Sequence, residues 1–77
     1  MIAAELWLHQ FGKESICHNL YGQIYRIGRD SDGEIVVNHP AVSKRHAILE
    51  LRRGNWLLTD AGSTNGISWL GRSVKAI

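Results

Sequence analysis

A chain of 77 residues with 44% hydrophobic content is neither a multidomain assembly nor a disordered polymer. Nine Lys+Arg against seven Asp+Glu give a formal charge of +2, too little on its own to argue for nucleic acid. The single cysteine, Cys17, excludes an internal disulfide, and a cytoplasmic protein is the simplest reading.

The start, "MIAAELWLHQ", has no basic leader and is interrupted by Glu5, so no signal peptide is read there. No apolar run approaches the about 18 residues of a membrane helix. The periodicity along the chain is that of strands. "ELWLHQF" (5–11) is β-rich at its middle, "YRI" (25–27) is apolar at alternate positions, and "EIVV" (34–37) is β-branched. "HAILELR" (46–52) alternates, with Ala47, Leu49 and Leu51 on one face and Ile48 and Glu50 on the other. "NWLLTD" (55–60) and "GISWL" (66–70) complete the set.

Turn residues separate these runs: Gly22, "DSDG" (30–33), "NHP" (38–40), "RGN" (53–55), "AGSTNG" (61–66) and Gly71. "RRGN" reads as a hairpin turn joining 46–52 to 55–60. No window of twelve residues reads as an amphipathic helix. The expectation is one all-β domain over residues 1–77, a small sandwich or barrel of short antiparallel hairpins. Trp7, Trp56 and Trp69 are expected in core or edge packing, and Cys17 as a small buried or half-buried residue.

Three polar loops stand out: "GRDSDG" (28–33), "NHPAVSKR" (38–45) and "AGSTNG" (61–66). Loops at one end of a sandwich can converge on a common patch. If these do, they offer Arg29, Ser43, Lys44, Arg45, Thr64 and Asn65, a set of donors and cations without a carboxylate. Such a set suits an anion with several oxygens, because arginine presents a planar fork and Ser and Thr present hydroxyls. A phosphate monoester is one such anion. Asn65 carries both a donor and an acceptor, which suits a peptide main chain.

"IGRDSDGEIVVNHPAVSKRHAILEL" and "WLLTDAGSTNGISWLGRSV" together resemble the forkhead-associated (FHA) domain. The shared pattern is Gly28-Arg29 after a strand, then Ser43-x-x-His46, then Ser63-Thr64-Asn65-Gly66, over roughly residues 5 to 75. The resemblance implies a β-sandwich of the forkhead-associated, SMAD-like type that binds phosphothreonine peptides on loops at one end. It implies phosphate contacts from Arg29 and Ser43, an added contact from Lys44, and a place for Thr64 beside the phosphothreonine. It implies that Asn65 holds the peptide backbone, while Gly28, His46 and Gly66 support the site. The implied partner is a phosphothreonine-containing protein from a Ser/Thr kinase pathway, with no nucleic acid, no membrane, no cofactor and no metal.

Two departures from the family pattern stand in the sequence. Glu34 replaces the usual Asp or Asn, and its extra methylene is expected to loosen the loop at 30–34. The family fold also continues for two further strands, so the chain is expected to be incomplete at its C-terminus. An unpaired edge near residues 5–11 then invites a dimer.

Other readings of the same residues are weaker. Ser43, His46 and Asp60 suggest a hydrolase triad, but there is no "GxSxG" elbow and no evident oxyanion hole, and the protein is not read as an enzyme. Cys17, His18, His39 and His46 lack metal-ligand spacing. "GSTNG" lacks the Gly-Lys-Ser/Thr ending of a P-loop. Arg29 and Ser43 taken singly could be an ordinary surface arginine and a turn serine. Two further functions stay open: a structural or oligomerisation module with an unused phosphate site, and weak nucleic-acid binding through Lys44, Arg45, Arg52 and Arg53.

Overall fold

The computed structural model describes residues 4–70 and 72–77, with Trp69 described by its backbone alone. The first three residues, the turn at Gly71 and the packing expected of the Trp69 ring lie outside the described residues.

Eight strands follow in chain order. They are β1 (Ala4–Leu8), β2 (Ile16–Leu20), β3 (Ile24–Gly28), β4 (Ile35–Val36), β5 (Ala47–Arg52), β6 (Asn55–Asp60), β7 (Ile67–Trp69) and β8 (Arg72–Val74). They form three ladders: β1-β2, the four-stranded β4-β3-β5-β6, and β7-β8. The chain is all-β, and helix is absent among the described residues.

The β5–β6 hairpin is the longest ladder, from Ala47↔Asp60 to Arg52↔Asn55. Its two-residue turn is Arg53-Gly54, with φ of 50° and 81°. Positive φ at both central positions is the type I′ geometry, whose twist matches that of the flanking strands. Alternation in β5 holds as expected: Ala47 and Leu49 are buried while Ile48 is exposed. β3 pairs β5 antiparallel, from Ile24↔Glu50 to Ile27↔Ala47.

One strand pair departs from the expected antiparallel arrangement. β4 lies parallel to β3, through Ile27↔Ile35 and Gly28↔Val36. The loop 29–34 doubles back beside the end of β3, which is feasible because the parallel ladder is only two residues long. Two strands escaped the sequence reading. β2 is "ICHNL", where Cys, His and Asn break the apolar alternation, and β8 is "RSV", only three residues long.

The core lies between the inner face of the four-stranded sheet and the β1-β2 ladder. Leu20, Ile35 and Leu49 are buried at its centre, with Ala4, Leu6, Tyr25, Ile27, Trp56 and Leu58 packed against them. Cross-strand register puts Leu49 opposite Leu58 and Leu51 opposite Trp56, so β5 and β6 present one apolar face. Trp56 tilts against Tyr25, with centroids 6.4 Å apart. Trp7, by contrast, points outward and is 53% exposed. Cys17 is half-buried. The chain's last residues run along β6: the Ile77 N–H donates to the Leu58 carbonyl (2.8 Å) and the Leu58 N–H to the Ile77 carbonyl (2.9 Å).

Candidate functional site

The loop 29–34 leaves β3 at Gly28, and the loop 37–46 returns to β5 alongside it. Gly28 is buried because the second loop lies directly on it. A Cβ at this position would stand 2.1 Å from the Lys44 carbonyl oxygen and 3.0 Å from that of Ser43. Only glycine permits that approach. Just beyond it the two loops share backbone bonds: the Arg29 N–H donates to the Ser43 carbonyl (3.0 Å) and the Asp30 N–H to the Lys44 carbonyl (3.1 Å). The Arg29 side chain is anchored by its Nε, which donates to the Val42 carbonyl at 3.0 Å. Anchoring at Nε leaves the terminal nitrogens of an exposed guanidinium available to a ligand.

His46 joins this pair of loops to the third. Its Nδ1 accepts the Ser43 N–H (3.0 Å), and its Nε2 meets the Gly66 carbonyl at 2.8 Å. A carbonyl can only accept, so the proton sits on Nε2 and the ring is neutral. The Ala61 N–H donates to the His46 carbonyl (2.9 Å), a second tie at the same residue.

The third loop, 61–66, is ordered by its own side chains. Asp60 Oδ1 accepts the N–H groups of Ser63 (2.8 Å) and Gly62 (3.1 Å), and Ser63 Oγ accepts the Gly66 N–H (2.9 Å). The Ser63 N–H on its carboxylate is the main reason Asp60 titrates below its ordinary range. The loop then reaches the second one at two points. The Thr64 N–H donates to Ser43 Oγ (2.9 Å), and Asn65 Nδ2 donates to the Ala41 carbonyl (2.7 Å).

The three loops thus meet at one end of the sheet, and Arg29, Ser43, Thr64 and Asn65 are brought together there. Ser43 Oγ accepts from Thr64 and keeps its own proton to donate outward. Asn65 keeps its Oδ1 and a second amide proton. Lys44 is exposed beside Ser43. The hollows flank this patch. One cleft of about 360 Å³ runs along Arg26, Asp30, Lys44, Arg45 and Ile48. A smaller one of about 260 Å³ lies beyond Thr64 and Asn65, against Ser73 and Lys75.

The weaker readings of the sequence are not carried by these bonds. The residues of the hydrolase triad are not assembled: His46 bonds the Ser43 backbone rather than its hydroxyl, and Asp60 bonds its own loop. The four cations considered for nucleic acid are split. Lys44 and Arg45 precede β5, whereas Arg52 ends it and Arg53 follows, roughly 20 Å away at strand rise. Arg52 is also paired with Glu50, Nε to Oε1 at 3.1 Å.

Glu34 tightens its loop rather than loosening it. Its Oε1 accepts the Arg26 N–H (2.7 Å) and Nε (3.1 Å), and its Oε2 accepts Nη2 (2.7 Å). The extra methylene gives the carboxylate the reach for this grip. Arg26 Nη2 also donates to the Asp32 carbonyl at 3.1 Å, so one guanidinium pins both ends of the turn. The Arg26 side chain is the first cause that lowers the Glu34 pKa to about 2.

The family model of the FHA domain matches residues 25–76. The chain belongs to the FHA family. FHA domains recognise phosphorylated motifs as binding modules. Over 51 residues this FHA domain is 35% identical to the ABC transporter ATP-binding/permease protein Rv1747 of Mycobacterium tuberculosis, covering 66% of this chain and 6% of that protein. Over 40 residues it is 45% identical to the FHA domain-containing protein FhaB of the same organism, covering 52% of this chain and 26% of that one. The chain therefore spans a small part of the curated relatives it matches. Among solved structures, the Rv1747 FHA-1 crystal structure superposes with a TM-score of 0.70 at 30% identity, over 83% of this chain and 64% of that one. M. tuberculosis EmbR, in complex with a low affinity phosphopeptide, superposes with a TM-score of 0.79 at 29% identity, over 96% of this chain and 20% of that one. These relatives share the sandwich with the present chain.

Proposed function

We propose that this FHA domain binds phosphothreonine peptides and so mediates phosphorylation-dependent protein–protein interaction in signalling, without catalysing a reaction. The observation that carries the reading is the meeting of Arg29, Ser43, Thr64 and Asn65 on three cross-bonded loops. The arginine fork and the Ser43 hydroxyl donate to phosphate oxygens, and Lys44 adds charge from the rim. Thr64 lies against the phosphothreonine. Asn65 uses its open amide group on the peptide main chain. Gly28, His46 and Gly66 support these residues from behind. The EmbR phosphopeptide complex lends the same reading weight.

Three charge-assisted bonds of about 1.5–3 kcal/mol each give a gross gain of roughly 5–9 kcal/mol before ordering costs. That is the scale of a reversible contact. Selection of threonine over serine through one methyl group is worth roughly 1–3 kcal/mol. The partner is a protein phosphorylated by a Ser/Thr kinase, and the domain acts in the cytoplasm where such kinases work.

Matched peptides carrying phosphothreonine, phosphoserine or plain threonine test this by fluorescence anisotropy at two ionic strengths. The expected order is phosphothreonine, then phosphoserine at least about fivefold weaker, then no binding by the plain peptide. Equal binding of all three, falling steeply with salt, would instead mean nonspecific attraction to anions.

A further inference from the structure

We propose that the cleft floored by Ile48 takes a large aliphatic side chain of the phosphopeptide, from a residue one to three positions from the phosphothreonine on the side away from Asn65. The inference rests on the phosphothreonine reading above and adds a choice of flanking sequence to it. The loop 37–46 sets the order of the contacts. Its Ala41 carbonyl holds Asn65, its Val42 carbonyl holds the Arg29 side chain, Ser43 carries the hydroxyl, and Lys44 and Arg45 then line the cleft. A peptide with its phosphate on Arg29 and Ser43 and its main chain on Asn65 therefore passes Lys44 with its other flank. From Ser43 to Arg45 the span is at most about 7 Å, which two extended peptide residues cover.

The cleft lies on the face of the four-stranded sheet turned away from the core. Ala47 and Leu49 are buried inward, and between them Ile48 points out, with Arg26 and Thr59 as its neighbours across the ladders. The alternation of a half-buried sheet calls for a polar residue at that place. Ile48 is instead 37% exposed at the base of a hollow of about 360 Å³, with Ala61 at its side. That is the size of a ligand pocket and ample for one side chain.

The charges around this floor do not select a charged occupant. The Arg26 guanidinium is taken up by Glu34 and by the Asp32 carbonyl, so it stands as a fixed wall. Asp30 and Asp32 then balance Lys44 and Arg45 on the rim. Exposed charges of equal number and opposite sign give neither sign of side chain a net pull, and each such contact is weak. Covering Ile48 with aliphatic carbon is the larger gain, and it grows with the area taken from water.

Two variants alter the cleft in different ways. Ile48→Thr keeps a β-branched residue in the strand and makes the floor polar. Ala61→Leu keeps the backbone bond to the His46 carbonyl and fills the hollow. Phosphothreonine peptides carrying Ala, Leu, Ile, Lys or Asp at each of the three positions on either flank are titrated by anisotropy against the unaltered chain and both variants. On one flank, Leu or Ile is expected to bind the unaltered chain at least about fivefold tighter than Ala. Both variants are expected to lose that preference and to bind the alanine peptide as the unaltered chain does, which shows the fold and the phosphate patch to be intact. Four outcomes would overturn the inference and leave the phosphothreonine reading standing: no aliphatic preference at any position, a preference that both variants keep, a preference for Lys or Asp at the position that depends on Ile48, or a loss that falls equally on the alanine peptide. Failure of every phosphothreonine peptide to bind the unaltered chain would overturn that reading and this inference together.

Discussion

Gly28 and His46 shape the patch without needing to touch a ligand. At Gly28 the constraint is steric. A methyl group placed 2.1 Å from the Lys44 carbonyl must push the second loop away, and Ser43 moves with it. Gly28→Ala is expected to cost about 1–3 kcal/mol of stability and to weaken phosphopeptide binding, read by urea denaturation and anisotropy on the same sample. Unchanged binding would mean the loops tolerate the shift. At His46 the constraint is a hydrogen-bond pair that only one neutral tautomer satisfies. His46→Phe keeps the volume and removes both bonds, so weaker binding is expected with intact strand circular dichroism. The carboxylates carry the acid response. Glu34 is held at about 2 against an ordinary 4.5, with Arg26 as the main cause. A depressed carboxylate stabilises the fold above its unfolded pKa and loses that contribution as pH falls through the folded value. Stability is therefore expected to decline from about pH 4.5 towards 2, and Glu34→Gln to flatten that decline in thermal melts taken across the window. Asp60, also lowered, adds a decline of the same sign.

The strands divide by how plainly their residues announce them. "NWLLTD" and "HAILELR" were legible because β-branched and large apolar residues alternate or run between turn formers, and both fell within a residue of the observed β6 and β5. β2 was not legible, because its register with β1 rather than any pattern of its own holds "ICHNL" extended. The parallel placement of β4 was likewise hidden, since it rests on how loop 29–34 folds back and not on the two residues of the strand. The site was legible as three loops. Of what joins them, His46 was named in the sequence as a support, but the Arg29–Val42 and Asn65–Ala41 bonds end on backbone carbonyls, which carry no side-chain signature. The Arg53-Gly54 turn offers a test at this scale. Arginine at φ 50° is in a region asparagine tolerates far better. Arg53→Asn is expected to raise stability by about 0.5–1 kcal/mol in urea melts, and an unchanged midpoint would mean that the hairpin sets the cost elsewhere.

At the scale of the whole molecule the core is small. Among the described residues five hydrophobic side chains are buried, from Leu20 to Leu49, in a chain near the size where one core is marginal. Leu49→Ala is expected to cost about 2–5 kcal/mol, enough to unfold much of the population at about 37 °C. Anything that binds the folded form shifts its melting temperature by mass action. A phosphopeptide that engages the patch should therefore raise the melting temperature with its concentration. The sheet and its turns thus set the loops, the loops set the four side chains, and the binding reading depends on those four acting together. The most direct measurement is titration calorimetry of one phosphothreonine peptide, drawn from a library screen, against the unaltered chain and Arg29→Ala, each shown to be folded. The account predicts saturable one-to-one binding to the unaltered chain and a loss of at least about tenfold with Arg29→Ala. Binding of equal strength to both would contradict it, because the phosphate would then be held somewhere other than on Arg29.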